Sequence, residues 1–397
     1  MTVFRKEISS PFLVTRLATI ALVVLLSACG GSDGETEEEL PAYSAEYSAD
    51  AFITTWKTNK VGKTKDDQIR IKTLGSGYSY NVDWGDGSFD ENLERSITHT
   101  YPTEGTYTVS ITGTFPRIYL GFVNDDDYDN DEIPTAADHN KLMTIEQWGS
   151  TSLESLDSAF SRCENLISNA IDYPDLSGVT NMNNMFRGAR KFNQNLNSWD
   201  VSSVTEMDGM FYGASSFNGD ISSWDVSSVI DIEGMFADAS SFNQDISSWD
   251  ISSLRDINSL FIRATSFNQD LSSWDVSNVV DMESLFKGAN SFNQDISSWD
   301  VSSVILMSDM FEGASSFDQD LSAWNISSVR YMYDMFKDVS LSIANYDALL
   351  IGWSVQSLNS DVTFSAGDSQ YSNASQSARD TLTNAFNWTL TDGGLKN

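Results

Sequence analysis

Residues 242–300 read FNQDISSWDISSLRDINSLFIRATSFNQDLSSWDVSNVVDMESLFKGANSFNQDISSWD. The block FNQD, one aliphatic residue, then SSWD starts at Phe242, Phe267 and Phe292, a period of 25 residues. Outward from there Trp199, Trp224, Trp249, Trp274, Trp299 and Trp324 keep the same period. So do Phe192 through Phe317 and, in a second series, Phe186 through Phe336. A fixed period of this size is the signature of a solenoid, whose units bury their apolar faces only against their neighbours. Solenoids present long surfaces and bind more often than they catalyse.

One unit, Ser203 to Val226, shows the chemistry. Ser203 can N-cap a helix with Glu206 completing a capping box, and Ser228 with Asp231, Ser253 with Asp256 and Asn278 with Asp281 repeat that offset. Val204, Met207, Phe211 and Ala214 then fall on one helical face, and Gly213 ends it. The spacing predicts a helix of about two and a half turns per unit. Phe217, Ile221, Trp224 and Val226 follow as the expected strand-bearing side, pairing in parallel with neighbouring units at roughly 4.8 Å. Met207, Met282, Met307 and Met332 read as core filler, and Cys163 as a small buried hydrophobe in the same register.

Three polar columns keep the period. Asn193, Asn218, Asn243, Asn268 and Asn293 read as a buried amide ladder joining units. Asp200, Asp225, Asp250, Asp275 and Asp300 stand in the turn before the expected helix and are assigned to turn capping. Asp220, Asp245, Asp270, Asp295 and Asp320 are expected to face solvent and are the candidates for ligand contact.

The unit Phe242 to Ser253 is similar to the BspA-like bacterial surface-protein repeat, a divergent leucine-rich repeat of envelope lipoproteins, and the resemblance covers about residues 141–340. It implies an α/β solenoid with a short parallel strand and a short helix per repeat. Leu153, Leu156, Phe160 and Leu166 form a degenerate first unit, and residues 341–397 resemble the segment that closes such arrays. Closure is needed physically, since the last unit's apolar edge must be shielded.

Before the array, residues 51–122 are different. Gln68 to Leu74, Tyr78 to Trp84 and Tyr107 to Thr112 read as strands, with Gly85-Asp86-Gly87 as a tight turn. Val82-Asp83-Trp84-Gly85-Asp86-Gly87-Ser88, followed by His99-Thr100-Tyr101, resembles the polycystic-kidney-disease (PKD) domain. That resemblance implies a small all-β immunoglobulin-like sandwich acting as spacer or recognition module. Trp84 would lie in the core, Asp86 would fix the turn, and His99 would be a hydrogen-bonded scaffold residue. Residues 123–140 form an acidic linker. Asp127, Asp129, Asp131 and Asp138 occupy positions 1, 3, 5 and 12 of a calcium-loop pattern, but Glu132 stands where that loop needs glycine. A solvated acidic loop and a weak calcium site are both open readings, and no other cofactor is suggested.

The first residues resemble a lipoprotein export signal. Arg5, Lys6 and Arg16 precede the apolar run Leu17 to Leu26, which is too short to span a bilayer. Leu26-Ser27-Ala28-Cys29 resembles the bacterial lipobox, which would make Cys29 the acylated first residue after removal of residues 1–28. Residues 29–50 are acidic and poor in large aliphatics, a tether rather than a fold. With Cys29 acylated, Cys163 has no intramolecular partner, and packing must supply the stability. The expectation is a protein of the cell envelope, held at the outer membrane or cell surface by its lipid alone, and monomeric.

The net charge is −34, and losing residues 1–28, with three cations against Glu7, makes it two units more negative. Such a chain repels phosphate backbones, which argues against nucleic acid. The two histidines, His99 and His139, lie outside the array, and no triad or zinc spacing occurs. A non-catalytic binding or adhesion module for a protein or glycan ligand is therefore the expectation. A passive envelope element and a glycan-processing enzyme are the alternatives. Exposed aromatic residues on one face would favour binding over the passive role.

Overall fold

The computed structural model describes residues 47–121 and 138–396. Cys29, expected to be acylated, and Asp127, Asp129 and Asp131 of the calcium-loop pattern lie outside the described residues.

The N-terminal part is a β-sandwich. Its larger sheet has the order β4-β3-β6-β1-β7-β8, built from β1 (Phe52–Lys57), β3 (Ser79–Asp83), β4 (Phe89–Leu93), β6 (Thr106–Thr114), β7 (Leu142–Gln147) and β8 (Ile167–Ser168). Opposite it β2 (Gln68–Ile71) pairs antiparallel with β5 (Ile97–Thr100). Alternation decides which side chains go inside: Tyr80 and Val82 of β3 are buried while Ser79 and Asn81 are exposed. Trp84 is fully buried, its indole N–H on Asp90 at 2.8 Å and its ring stacked on His99 at 4.6 Å. His99 Nε2 lies 2.9 Å from Asp86 Oδ2, and Asp86 Oδ1 accepts from the Ser88 amide at 2.9 Å. Burial alone would raise the Asp86 carboxyl, but the bonds from Ser88 and His99 outweigh it and hold its pKa low.

The sandwich and the array share a sheet. β7 lies antiparallel to β1 on one side and parallel to β8 of the first repeat unit on the other. Just after β7, Trp148 packs edge-on against Phe160 at 5.9 Å and Trp199 at 5.3 Å, closing the first unit's aromatic edge.

From there the units stack in the 25-residue register. Phe186, Phe211, Phe236, Phe261, Phe286, Phe311 and Phe336 form one near-parallel ring column with successive centroids 5.3–5.9 Å apart. Phe192 through Phe317 form a second column beside it. The tryptophans are buried, and from Trp224 onward each indole N–H reaches the carbonyl that ends the preceding unit's FNQD-type block: Trp224 to Leu196 O at 2.9 Å, Trp274 to Ile246 O at 3.1 Å, Trp324 to Ile296 O at 3.0 Å. The methionines of the repeat and Cys163 are buried too, and burial pushes the Cys163 thiol up.

The expected helix is corrected. Among the described residues of 141–340 there is no α-helix; each unit instead runs through a chain of tight turns. The amides a helix would aim four residues back are divided between two other acceptors. Met182, Asn184, Phe186 and Gly188 donate to Glu206, Asp208, Met210 and Tyr212 of the next unit at 2.6–2.9 Å. Met185, Arg187 and Ala189 donate three residues back within their own unit. Left-handed residues four apart, Asn184 and Gly188, then Gly209 and Gly213, and so on to Asp334 and Asp338, reverse the chain's hand and forbid a helix. The expected strand side is also misplaced: the parallel bridges join Asn181, Glu206 and Asp231, and Asp256, Asp281, Leu306 and Tyr331, not residues 217–226.

The far end is closed by α1 (Ile343–Ser354), β9 (Thr363–Ser365), α2 (Gln376–Ala385) and β10 (Thr389–Thr391). Ser342 caps α1, and Trp353 from its last turn bonds Leu321 O at 3.1 Å, taking the place the next repeat's tryptophan would fill. Phe364 of β9 meets Phe336 edge-on, and the Phe336 amide donates to Ser365 O at 3.0 Å.

Candidate binding surfaces of the repeat array

The asparagine column does join units, through one bond repeated. The Asn193 side-chain oxygen accepts the Asn218 amide at 2.7 Å, and Asn218, Asn243, Asn268 and Asn293 each accept from the residue one unit on at 2.8–2.9 Å. These side chains are exposed or half-buried, so the ladder runs along the surface rather than in the core.

The two aspartate columns were expected to differ, one capping turns and one free for ligand, but both make the same bond. Asp200, Asp225, Asp250, Asp275 and Asp300 accept the amide two residues on at 3.0–3.2 Å. Asp220, Asp245, Asp270, Asp295 and Asp320 do so with Ser222, Ser247, Ser272, Ser297 and Ser322 at 2.8–3.0 Å. Asp245 through Asp320 are exposed and Asp220 is half-buried. One oxygen of each is thus committed to its own turn. Hydrogen bonding to the serine lowers the pKa of Asp245 and Asp295 as it does that of Asp225, Asp250 and Asp275.

Asp138 is withdrawn from the calcium pattern. It is buried, and its oxygens accept the Thr64 amide at 3.0 Å, the Thr64 hydroxyl at 2.7 Å and the Arg70 amide at 2.8 Å. Lys141, also buried, places its ammonium 3.9 Å away and within 2.7–3.1 Å of three carbonyls and one hydroxyl of the 64–68 loop, which share its three N–H donors. The carboxylate that would close a calcium loop instead fixes the sandwich. Among the described residues no group of three or more histidine, cysteine, aspartate or glutamate side chains is placed to hold a metal.

A third set of outward positions flanks the bridge column. Glu206 with Asp208, Asp231 with Glu233, Asp256, and Asp281 with Glu283 follow one another unit by unit, then give way to Leu306, Tyr331 and Tyr333. Tyr331 is 54% exposed and Tyr333 45%, unusual for tyrosines in so well packed an array. Partial burial, then the neighbouring carboxylates, raise the pKa of Glu233 and push that of Asp208 up to about 6. In the sequence Glu206, Asp231, Asp256 and Asp281 read as capping-box residues, and the absence of a helix among the described residues of the array frees them from that role.

Further round the first units lies an open groove of about 550 Å³. Gly188 and Gly213 form its floor; Arg162, Arg187, Arg190, Tyr212, Glu164 and Asp238 line it. The Arg187 guanidinium sits 4.0 Å from the Tyr212 ring centroid, a cation–π contact. Asp238 is held by Arg263 in a bidentate pair, both bonds 2.5 Å. This gathering of guanidinium groups in a strongly acidic chain is not legible from the sequence, because Arg162 lies a unit before Arg187 and Arg190 and at a different offset.

Residues 64–116 match the family model of the PKD domain. Residues 154–272 and 244–349 match, in two overlapping stretches, the family described as Mycoplasma protein of unknown function, DUF285. No curated protein matches the chain. The chain carries a PKD domain followed by repeats of the DUF285 type.

Proposed function

We propose that this protein is a lipid-anchored, non-catalytic binding module of the cell envelope, presenting its array as an adhesion surface. The observation that carries the reading is the pair of exposed tyrosines, Tyr331 and Tyr333, at the end of a carboxylate stripe. Tyrosine supplies contact area at low entropic cost and is enriched at interface hot spots. The 25-residue register of bonds and rings supports treating the array as a solenoid of divergent leucine-rich type, with turns where a helix was expected. Leu26-Ser27-Ala28-Cys29, which resembles a lipobox, supports attachment through acyl chains on Cys29.

The test is a protein and glycan array screen with the purified chain, repeated with the double variant Tyr331→Ser, Tyr333→Ser. Retention of a ligand by the parent and its loss in the variant is the expected result. A ligand held equally by both would move the site elsewhere, and no retained ligand at all would favour the passive envelope role. For the anchor, Cys29→Ser should move the protein from the membrane to the soluble fraction; unchanged detergent partitioning would refute it.

A further inference from the structure

Three of the six strands in the large sheet lie outside the stretch that matches the PKD domain: β1 ends before residue 64, and β7 and β8 follow residue 116. β1 contributes Trp56 to the core, and β7 contributes Leu142 and Ile145, all three fully buried. The other edge of β7 pairs with β8, which belongs to the first repeat unit. The strand that completes the sandwich is therefore also the strand on which the array begins.

The chain leaving β6 makes a second joint, and it copies the contacts between repeat units. Arg117 forms a parallel bridge with Ser155, as Asn181 does with Glu206. The Glu154 amide donates to Pro116 O at 2.8 Å, as the Thr205 amide donates to Thr180 O at 2.9 Å. Leu120 and Gly121 both donate to Ala159 O at 2.9 Å; its counterparts Met185 O and Met210 O accept the amides of Phe160 and Phe186. Ile118, Tyr119 and Leu120 are buried there. Gly121 fits because it has no Cβ, which would lie 2.3 Å from Ser161 N and 2.5 Å from Ser158 O.

The N-terminal segment enters at this same joint. The Gln147 side-chain amide donates to Ser48 O at 2.9 Å and Ala51 O at 2.8 Å, and the Ser150 hydroxyl to Asp50 Oδ1 at 2.9 Å. A pull arriving through Ser48 thus reaches residues 147–150, beside Trp148 and the first unit, without crossing β3, β4 or β6.

We propose that the function of the sandwich in this chain is to cap the array: it stands in for the unit that would precede Ser155 and does not space the array from its anchor. A solenoid needs its terminal apolar edge shielded, and Trp148 with residues 116–121 supplies that shield. A spacer domain is joined by a linker that few contacts cross. Here two hydrogen-bonded joints and one continuous core cross the boundary, so opening the sandwich uncovers the first unit. This role holds whatever the array binds.

The experiment is hydrogen-exchange mass spectrometry of the full chain in mild denaturant, read separately for the sandwich and for residues 153–170 of the first unit. Trp84→Ala removes a ring that engages His99 and Asp90 inside the sandwich. It should speed exchange in residues 153–170 about tenfold, together with β3 and β6. Gly121→Ala, which parts the second joint, should speed the same residues about as much. If Trp84→Ala unfolds the sandwich outright, protection of the first unit should be lost with it. Parent-like exchange in residues 153–170, in either variant, overturns the proposal and leaves the sandwich a separate spacer.

Discussion

At the scale of single residues the repeated tryptophan is a structural group. Trp249 is 4% exposed, stacks on Trp224 at 6.3 Å and donates to Ile221 O at 3.3 Å. Trp249→Ala should cost about 3–5 kcal/mol, the range for a buried aromatic truncation. Ser248→Ala, which removes only a surface bond to Ser222 O, should cost no more than about 1 kcal/mol. Chemical denaturation of the two variants measures the difference, and equal midpoints would place the tryptophans at the surface. The shared bond of the two aspartate columns gives a second expectation: Asp245→Ala and Asp250→Ala should lower the melting temperature by similar amounts, while the asparagine versions, which keep an acceptor, should lower it less. A clear inequality between the two alanine variants would restore a division of labour between the columns.

Titration belongs to the same scale. Asp208 has a folded-state pKa of about 6 against an ordinary 3.8, because burial and then Asp231 and Glu233 disfavour its charge. A raised carboxyl pKa means the folded state binds the proton more tightly, so stability rises as pH falls from 7 through 6 towards the ordinary value. The turn-capping aspartates are lowered instead, and their contribution is lost only at more acid pH, as it falls through their depressed folded-state values. Thermal unfolding at pH 7 and pH 5 should therefore show the higher midpoint at pH 5, and Asp208→Asn should raise the pH 7 value and shrink the difference. A parent midpoint that falls between pH 7 and pH 5 would be the contrary result.

At the scale of elements, the sequence announced its repeat but not the conformation inside it. Val204, Met207, Phe211 and Ala214 satisfy a helical face, yet the same spacing is met by turns whose alternate amides leave the unit. The informative signal was the left-handed position, filled by Asn184, Gly209, Gly234, Ser259, Ser284, Asp309 and Asp334. Those residue types tolerate positive φ, and their recurrence within the supposed helix argued for turns. The sandwich was more legible, since Asp83 to Ser88 and His99 to Tyr101 are local motifs. Its partner strand β7 was not, because Leu142 to Gln147 reaches β1 across some ninety residues of chain. The candidate surfaces were least legible of all, since side chains 25 residues apart meet only after stacking.

The C-terminal elements carry their own test. Phe364 and Trp353 cover an aromatic edge that would otherwise face water, and the Phe336 amide has its acceptor in β9. Truncation after Ser340 should leave a chain that associates or aggregates, measured by light scattering. A truncated chain that stays monomeric and melts as the parent does would show the last unit to be self-sufficient.

At the scale of the molecule, every interior unit meets its neighbours through the same rings and bonds. Deleting one whole unit, residues 228–252, joins Ser227 to Ser253 in register and should preserve cooperative folding with a modest fall in stability. Deleting 24 residues instead breaks every interunit bond downstream and should unfold the array; circular dichroism of the pair separates the outcomes. Equal behaviour would mean that the register is not what holds the units together.

The stacked tryptophans also make the protein an optical object. Trp224 and Trp249, and Trp299 and Trp324, lie nearly coplanar in orientation at 6.3 and 6.5 Å. Indoles that close exchange excitation before they emit, and their transitions couple. The folded chain should therefore show a split near-ultraviolet dichroism band that vanishes on unfolding. Because the geometry of each pair is set by the repeat, the band's amplitude reports on whether those neighbouring units are in register, without any label added to the protein.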